Sequence, residues 1–195
     1  MEIFYEAAWE DFYSRRHYKH QLIPLAKMFM FQTGIRISEA CVLRYEDIEG
    51  DELHIQRMYI DYNGTVVDRT KSDCGDRMIP LTDCAKELIE EARARQQEEG
   101  VNDSGYIFSM TDAPVPYTEL RKSFYKACNE LGFNQKSSHK ARKTFISTLI
   151  DAGVNINTIR EIVGHEDERT TFNNYCFDRS EIEERNELIN NALTV

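Results

Sequence analysis

The chain has 195 residues, long enough for one substantial core or two small domains. Its 41% hydrophobic and 30% charged residues match an ordinary water-soluble globular protein. The formal net charge of -10 excludes a uniformly basic nucleic-acid-binding surface. It leaves a local basic patch open, because recognition depends on the patch and not on the average.

Other classes fall away quickly. The most apolar stretch, Leu22 to Phe31, is too short to span a bilayer and contains Pro24 and Lys27. The start, MEIFYEAAWEDF, is acidic and lacks a signal peptide's basic lead and cleavage site. Cys41, Cys74, Cys84, Cys128 and Cys176 are scattered and odd in number, so neither a disulfide framework nor a zinc site is expected. A reduced cytoplasm is the natural setting, and His17 and His20 read as surface residues, not metal ligands.

In chain order, an apolar helix is predicted from about Lys19 to Gln32, ended near Gly34, with Ser38 capping a short helix through Leu43. ELHIQRMYI alternates and reads as one strand. Asn63-Gly64 is a hairpin turn signal, RMIPL a further strand, and Lys71 to Asp76 a tight polar loop before it. Thr82 caps a helix that runs to about Glu99 and stops at Gly100. GYIFS is a short extended piece, and PYTELRKSFYKACNELG a helix with a glycine stop. A helix opened by Ser138 ends at Gly153, and NINTIREIVG is capped by Asn155 and closed by Gly164. ERTTFNNYCF is predicted as a short helix and SEIEERNELINNALTV as an amphipathic C-terminal one. The acidic runs KELIEEARARQQEEG and DRSEIEERNE read as solvated helix faces, expected to lie away from any anion-binding site.

The helix after Ser138 begins oddly. His139, Lys140, Arg142 and Lys143 crowd its first turn, where the dipole disfavours cations and favours an anion. His139 and Arg142 are three apart and share a face suited to a phosphate oxygen. Arg36 sits in a short turn between two helices, with Glu39 placed to brace its guanidinium. Lys71 lies at a loop edge and can serve as a general acid. His165 follows a helix-ending glycine, and Tyr175 comes ten positions later, able to act as a covalent nucleophile if deprotonated near cations. Singly, each reads as an ordinary surface or packing residue.

The ordered set Arg, Lys, His-x-x-Arg, Gly-His, Tyr resembles the catalytic domain of the tyrosine recombinases, the phage integrase family. The matching stretches are TGIRISEACVLRYEDI, TKSDCGDRMIPL, SHKARKTFIST and VGHEDERTTFNNY, in that order. The resemblance implies a mainly helical fold with a small antiparallel β-sheet. It implies that Arg36 and Arg142 grip the scissile phosphate, with His165 donating a further hydrogen bond and Glu39 in support. His139 would assist proton transfer, Lys71 would protonate the leaving 5′ hydroxyl, and Tyr175 would form a 3′-phosphotyrosine. No metal, ATP or other cofactor is expected. The implied partners are double-stranded DNA, with Lys136 and Lys140 as backbone contacts, and further copies of the chain in a tetramer on DNA. No membrane is involved.

Two departures stand out. Ala141 occupies a position where the family more often has a larger aliphatic residue, which bears on packing alone. Full-length relatives also carry a separate helical DNA-binding domain before the catalytic one. The chain is therefore expected to be a single catalytic domain over 1–195, either excised from such a protein, the favoured reading, or naturally short. Residues 1–17 would be a lead-in and 178–195 a tail helix that docks on its own domain or on a neighbouring protomer. The expected activity is site-specific cleavage and rejoining of DNA strands, as in an integrase of a mobile element. The rivals are a topoisomerase using the same chemistry and a non-catalytic binding relic of the fold.

Overall fold

Helix α2 (Ile23–Thr33) is buried along nearly its whole length, with apolar residues on every side, which suits the centre of a core. In the computed structural model, which describes residues 2–14, 21–60, 64–70, 73–101, 105–165 and 190, it holds that place. It packs against α1 (Glu2–Ser14), α4 (Asp83–Glu99), α5 (Tyr117–Glu130) and α6 (His139–Asp151). Pro24 falls in its first turn, where the missing N–H costs nothing. Gly34 ends it in the left-handed conformation at φ 63°, its amide donating to Met30 O at 3.1 Å.

The expected lead-in is a helix. Ala8 and Phe12 of α1 are buried in the main core, and Tyr5 Oη donates to Met28 O of α2 at 3.0 Å. Lys27 is buried in α2, its amine 4.0 Å from Asp11 and 5.7 Å from the Phe4 ring centre.

The β segment differs from the expected single strand. ELHIQRMYI breaks at Gln56-Arg57 into β2 (Glu52–Ile55) and β3 (Met58–Ile60), which belong to different sheets. Strands β1 (Ile48–Glu49), β2 and β5 (Arg77–Pro80) form an antiparallel sheet in the order β1-β2-β5. Leu53 lies opposite both Ile48 and Ile79. β3 pairs with β4 (Thr65–Val67) in the hairpin that Asn63-Gly64 announces. The break comes where Arg57 turns to Asp47, donating from Nη1 at 2.7 and 2.9 Å.

Two caps also shift. Helix α3 (Ile37–Ala40) takes Arg36, not Ser38, as its N-cap, and Glu39 Oε2 accepts from the Arg36 amide at 2.8 Å. Ser138 precedes α6 with helical dihedrals and makes no side-chain cap bond. α4 starts at a Thr82 cap and ends at left-handed Gly100, as expected. Helix α7 (Ile156–Val163) is capped by Asn155, whose side chain accepts from Asn157 N at 2.9 Å, and closed by Gly164 at φ 63°. Ile146, Ile159 and Val163 form a second small core between α6 and α7. The fold is thus mainly helical with small antiparallel sheets. Among the described residues, no helix is long and apolar enough to cross a membrane.

Candidate active site

Three chain turns meet where α2, α6 and α7 come together. Arg36 stands two residues past the left-handed Gly34, with its side chain a quarter exposed. It donates from Nη1 to Glu39 Oε1 at 2.8 Å and from Nη2 to Gly164 O at 3.0 Å. Arg142, in the first turn of α6, is only 2% exposed. Its Nη1 donates to Gly34 O at 2.7 Å and its Nη2 to Val163 O. Both guanidiniums are therefore held by carbonyl oxygens at helix C-termini, which have no intrahelical donor and carry the negative end of the dipole.

Gly164 has no substitute at that junction. Its φ of 63° is the left-handed one, and a Cβ there would lie 2.5 Å from Cys74 O. This close approach places Cys74 against the end of α7. Gly75 beside it is also confined, since a Cβ on it would come 2.3 Å from Thr70 Oγ1.

Glu39 is 1% exposed and receives two guanidiniums. Beside Arg36, Arg77 reaches it with Nη2 to Oε2 at 3.0 Å and Nη1 to Oε1 at 3.3 Å. Burial by itself would raise the Glu39 carboxyl; the charge and hydrogen bonds of Arg77, then those of Arg36, hold it below the usual carboxylate range. Arg77 also donates from Nε to Ile162 O at 2.6 Å and from Nη1 to Gly75 O at 2.7 Å.

Arg36, Arg142 and His139 line one pocket of about 290 Å³, together with Ser137, Ser138 and the Tyr117, Arg121 and Tyr125 face of α5. His139 lies at its exposed rim. Partial desolvation, then the charges of Arg142, Lys143, Arg36 and Lys140, push its pKa down. His165, half-buried just past Gly164, is pushed down to about 4 by desolvation and then by Arg142, Arg36, His139 and Arg77. Both imidazoles are consequently neutral near pH 7, each with one N–H to donate and one lone pair to accept. Two fixed cations beside two neutral imidazoles suit a phosphodiester oxygen and the movement of a proton near it.

Of the residues singled out in the sequence, the fold brings Arg36, Glu39, His139, Arg142 and His165 into one neighbourhood. Lys136 and Lys140 are exposed just before and within the start of α6 and do not line the pocket. Lys71 and Tyr175 lie outside the described residues, as do the two helices expected after His165 apart from Asn190. No acidic side chain of α4 lines the pocket.

Sequence reasoning missed two residues here. Arg121 enters the pocket from α5, its guanidinium carbon 5.7 Å from the Tyr117 ring centre, and Tyr117 stacks on Tyr59 at 6.4 Å and 8°. The spacing of Tyr117, Arg121 and Tyr125 marks one helical face, but nothing local says what that face meets. Arg77 carried a usable signal. Period-two alternation puts it on the same strand face as Ile79, which is buried. An arginine on an inward face needs buried acceptors.

Comparison with known proteins places the chain in a family. The family model described as "Phage integrase family" matches residues 9–181. The chain is 28% identical over 170 residues to a "Tyrosine recombinase XerC-like" protein of Caldanaerobacter subterraneus subsp. tengcongensis, covering 76% of this chain and 44% of that protein. It is 28% identical over 161 residues to the "Integrase" of Staphylococcus phage L54a, covering 73% and 44% respectively. The chain thus spans less than half the length of these two relatives. Among solved structures, the Tn1549 transposon integrase in complex with transposon right end DNA superposes with a TM-score of 0.76 at 19% identity, over 97% of this chain and 64% of that one. XerA recombinase gives 0.69 at 17% identity, over 100% and 62%. At those identities the likeness is one of fold.

Proposed function

The chain belongs to the phage integrase family, and from that premise we propose that it is the catalytic part of a tyrosine recombinase, which cuts and rejoins strands of duplex DNA through a 3′-phosphotyrosine. The observation that carries this is the meeting of Arg36, Arg142 and His139 in one pocket, with His165 held neutral in the field of both arginines.

In this scheme the phenolate oxygen of Tyr175 attacks phosphorus. The bond from phosphorus to the 5′ oxygen breaks, its electron pair stays on that oxygen, and Lys71 supplies the proton. A 3′-phosphotyrosine and a free 5′ hydroxyl result. Attack by a 5′ hydroxyl from another strand reverses the step, so the phosphodiester's energy is conserved and no ATP is consumed. Arg36 and Arg142 stabilise charge on the non-bridging oxygens, and each is pre-positioned by carbonyl acceptors before DNA arrives. His165 donates a hydrogen bond to the same phosphate. His139, at the rim, carries the tyrosine proton. Lys136 and Lys140 extend the cationic edge along the DNA backbone. The tail of residues 178–195 docks on a neighbouring protomer in a tetramer assembled on DNA.

The test is a denaturing gel after incubation with a pool of randomised-core duplexes at low salt, where backbone contacts bind most strongly. The chain is expected to give a detergent-resistant protein–DNA adduct with the 3′ side of the cut. Tyr175→Phe is expected to bind the pool and give none. DNA binding without any adduct from the parent chain would make it a binding module; an adduct surviving in Tyr175→Phe would move the nucleophile elsewhere.

A further inference from the structure

The last carbonyls of the α7 end are shared out among three arginines. Ile162 O accepts from Arg77, Val163 O from Arg142 and Gly164 O from Arg36. Arg36 and Arg142 line the pocket, whereas Arg77 does not. Its side chain is 6% exposed, and each of its nitrogens has an acceptor inside the protein.

We propose that Arg77 is a positioning residue for the reaction: by forking between the Glu39 carboxylate and the Ile162 carbonyl, it fixes Arg36 relative to the turn that carries His165. This rests on the recombinase reading above. Glu39 holds Arg36 at 2.8 Å, and Arg77 donates to both oxygens of the same carboxylate, which restrains its pivoting. The Nε bond to Ile162 O, two residues before Gly164, ties the sheet strand that carries Arg77 to the end of α7. Without it, among the described residues, Arg36 would be tied to that turn by the contact to Gly164 O at 3.0 Å alone. A lysine at 77 keeps a positive charge beside Glu39 but has no planar fork to reach the carboxylate and the carbonyl together.

Arg77→Lys tests this in the full chain, using a duplex recovered from the randomised pool with either a phosphodiester or a methylphosphonate at the cut. The methylphosphonate is neutral and asks less of the guanidiniums. A displaced Arg36 should slow adduct formation on the phosphodiester by about 100-fold, the order expected for a misplacement near 1 Å, with a much smaller loss on the methylphosphonate. Equal losses on the two substrates, or no loss, would overturn the proposal, since a merely structural role does not depend on phosphate charge. Arg77→Gln replaces the lysine variant if that one does not fold. If the parent chain forms no adduct at all, the recombinase reading falls instead. Amide exchange then decides the clamp. Faster exchange at Val163 to His165 with α4 unchanged retains it, and unchanged exchange at that turn removes it.

Discussion

Two arginine–carboxylate networks, one buried and one at the surface, are built with opposite stoichiometry. Around the α7 turn, one carboxylate, Glu39, serves Arg36 and Arg77, with Arg142 on the neighbouring carbonyls. Around the β2–β3 break, Arg57 serves Asp47, Glu46 and Asp68, with Arg44 also on Glu46. The second network has more carboxylates than guanidiniums, three to the two of Arg57 and Arg44. The first has cations in excess and fills their remaining needs with neutral carbonyl oxygens. Carbonyls orient a guanidinium without cancelling its charge, so that site stays attractive to an anion. A staple and a binding site can thus be built from the same residue types, and the charge balance tells them apart.

Substitutions in each network test that contrast. The largest effect on folding is expected for Glu39→Ala, which strands two guanidiniums near the core; removing one partner of a buried pair typically costs about 3–5 kcal/mol, to be read from urea unfolding. Arg36→Lys should leave the fold in place while adduct formation slows by about 10²–10³, the usual loss for one charge-stabilising donor, measured in a single turnover. Gly164→Ala forces a strained left-handed residue against Cys74 O, and about 1–3 kcal/mol should be lost in thermal melts.

The pH response follows from His165. Its folded pKa of about 4 lies below the ordinary value of 6.5. Between those values the unfolded chain binds a proton that the folded chain does not. Stability is therefore full above pH 6.5 and declines as pH falls towards 4. His165→Gln should flatten that part of the urea-midpoint profile; a profile identical to the parent's would mean that His165 is not desolvated as described. The smallest effect belongs to the staple's outer edge. Glu46 is 58% exposed, and Glu46→Gln should cost no more than about 1 kcal/mol. A larger loss in the same urea assay would show that the second network is more than a surface brace.

The elements legible in the sequence were those whose signals are local. Thr82 and Gly100 bound α4, and Asn155 and Gly164 bound α7, because a cap and a left-handed stop each act within a few residues. The α1 helix was obscured by its acidic composition, although Ala8 and Phe12 are spaced to share a face. The split of ELHIQRMYI was not legible, since the pull on Arg57 comes from Asp47, ten residues earlier. The site divides in the same way. His139 and Arg142 are tied by helical spacing, and Arg36 and Glu39 by one turn. That these pairs share a pocket depends on Arg142 reaching Gly34 across 108 residues. The link from Arg77 to Ile162 spans 85 residues and ends on a backbone atom, which no side-chain pattern records.

Backbone acceptors also decide how the site can drift over evolutionary time. Three arginines are registered by acceptors that every amino acid supplies, so the side chains at 162 and 163 are constrained by packing alone. Only the glycine at 164 is pinned by its own chemistry. The turn therefore presents a small mutational target: its most consequential atoms cannot be changed by a codon, and relatives can vary its apolar residues while the spacing of the cations is inherited intact.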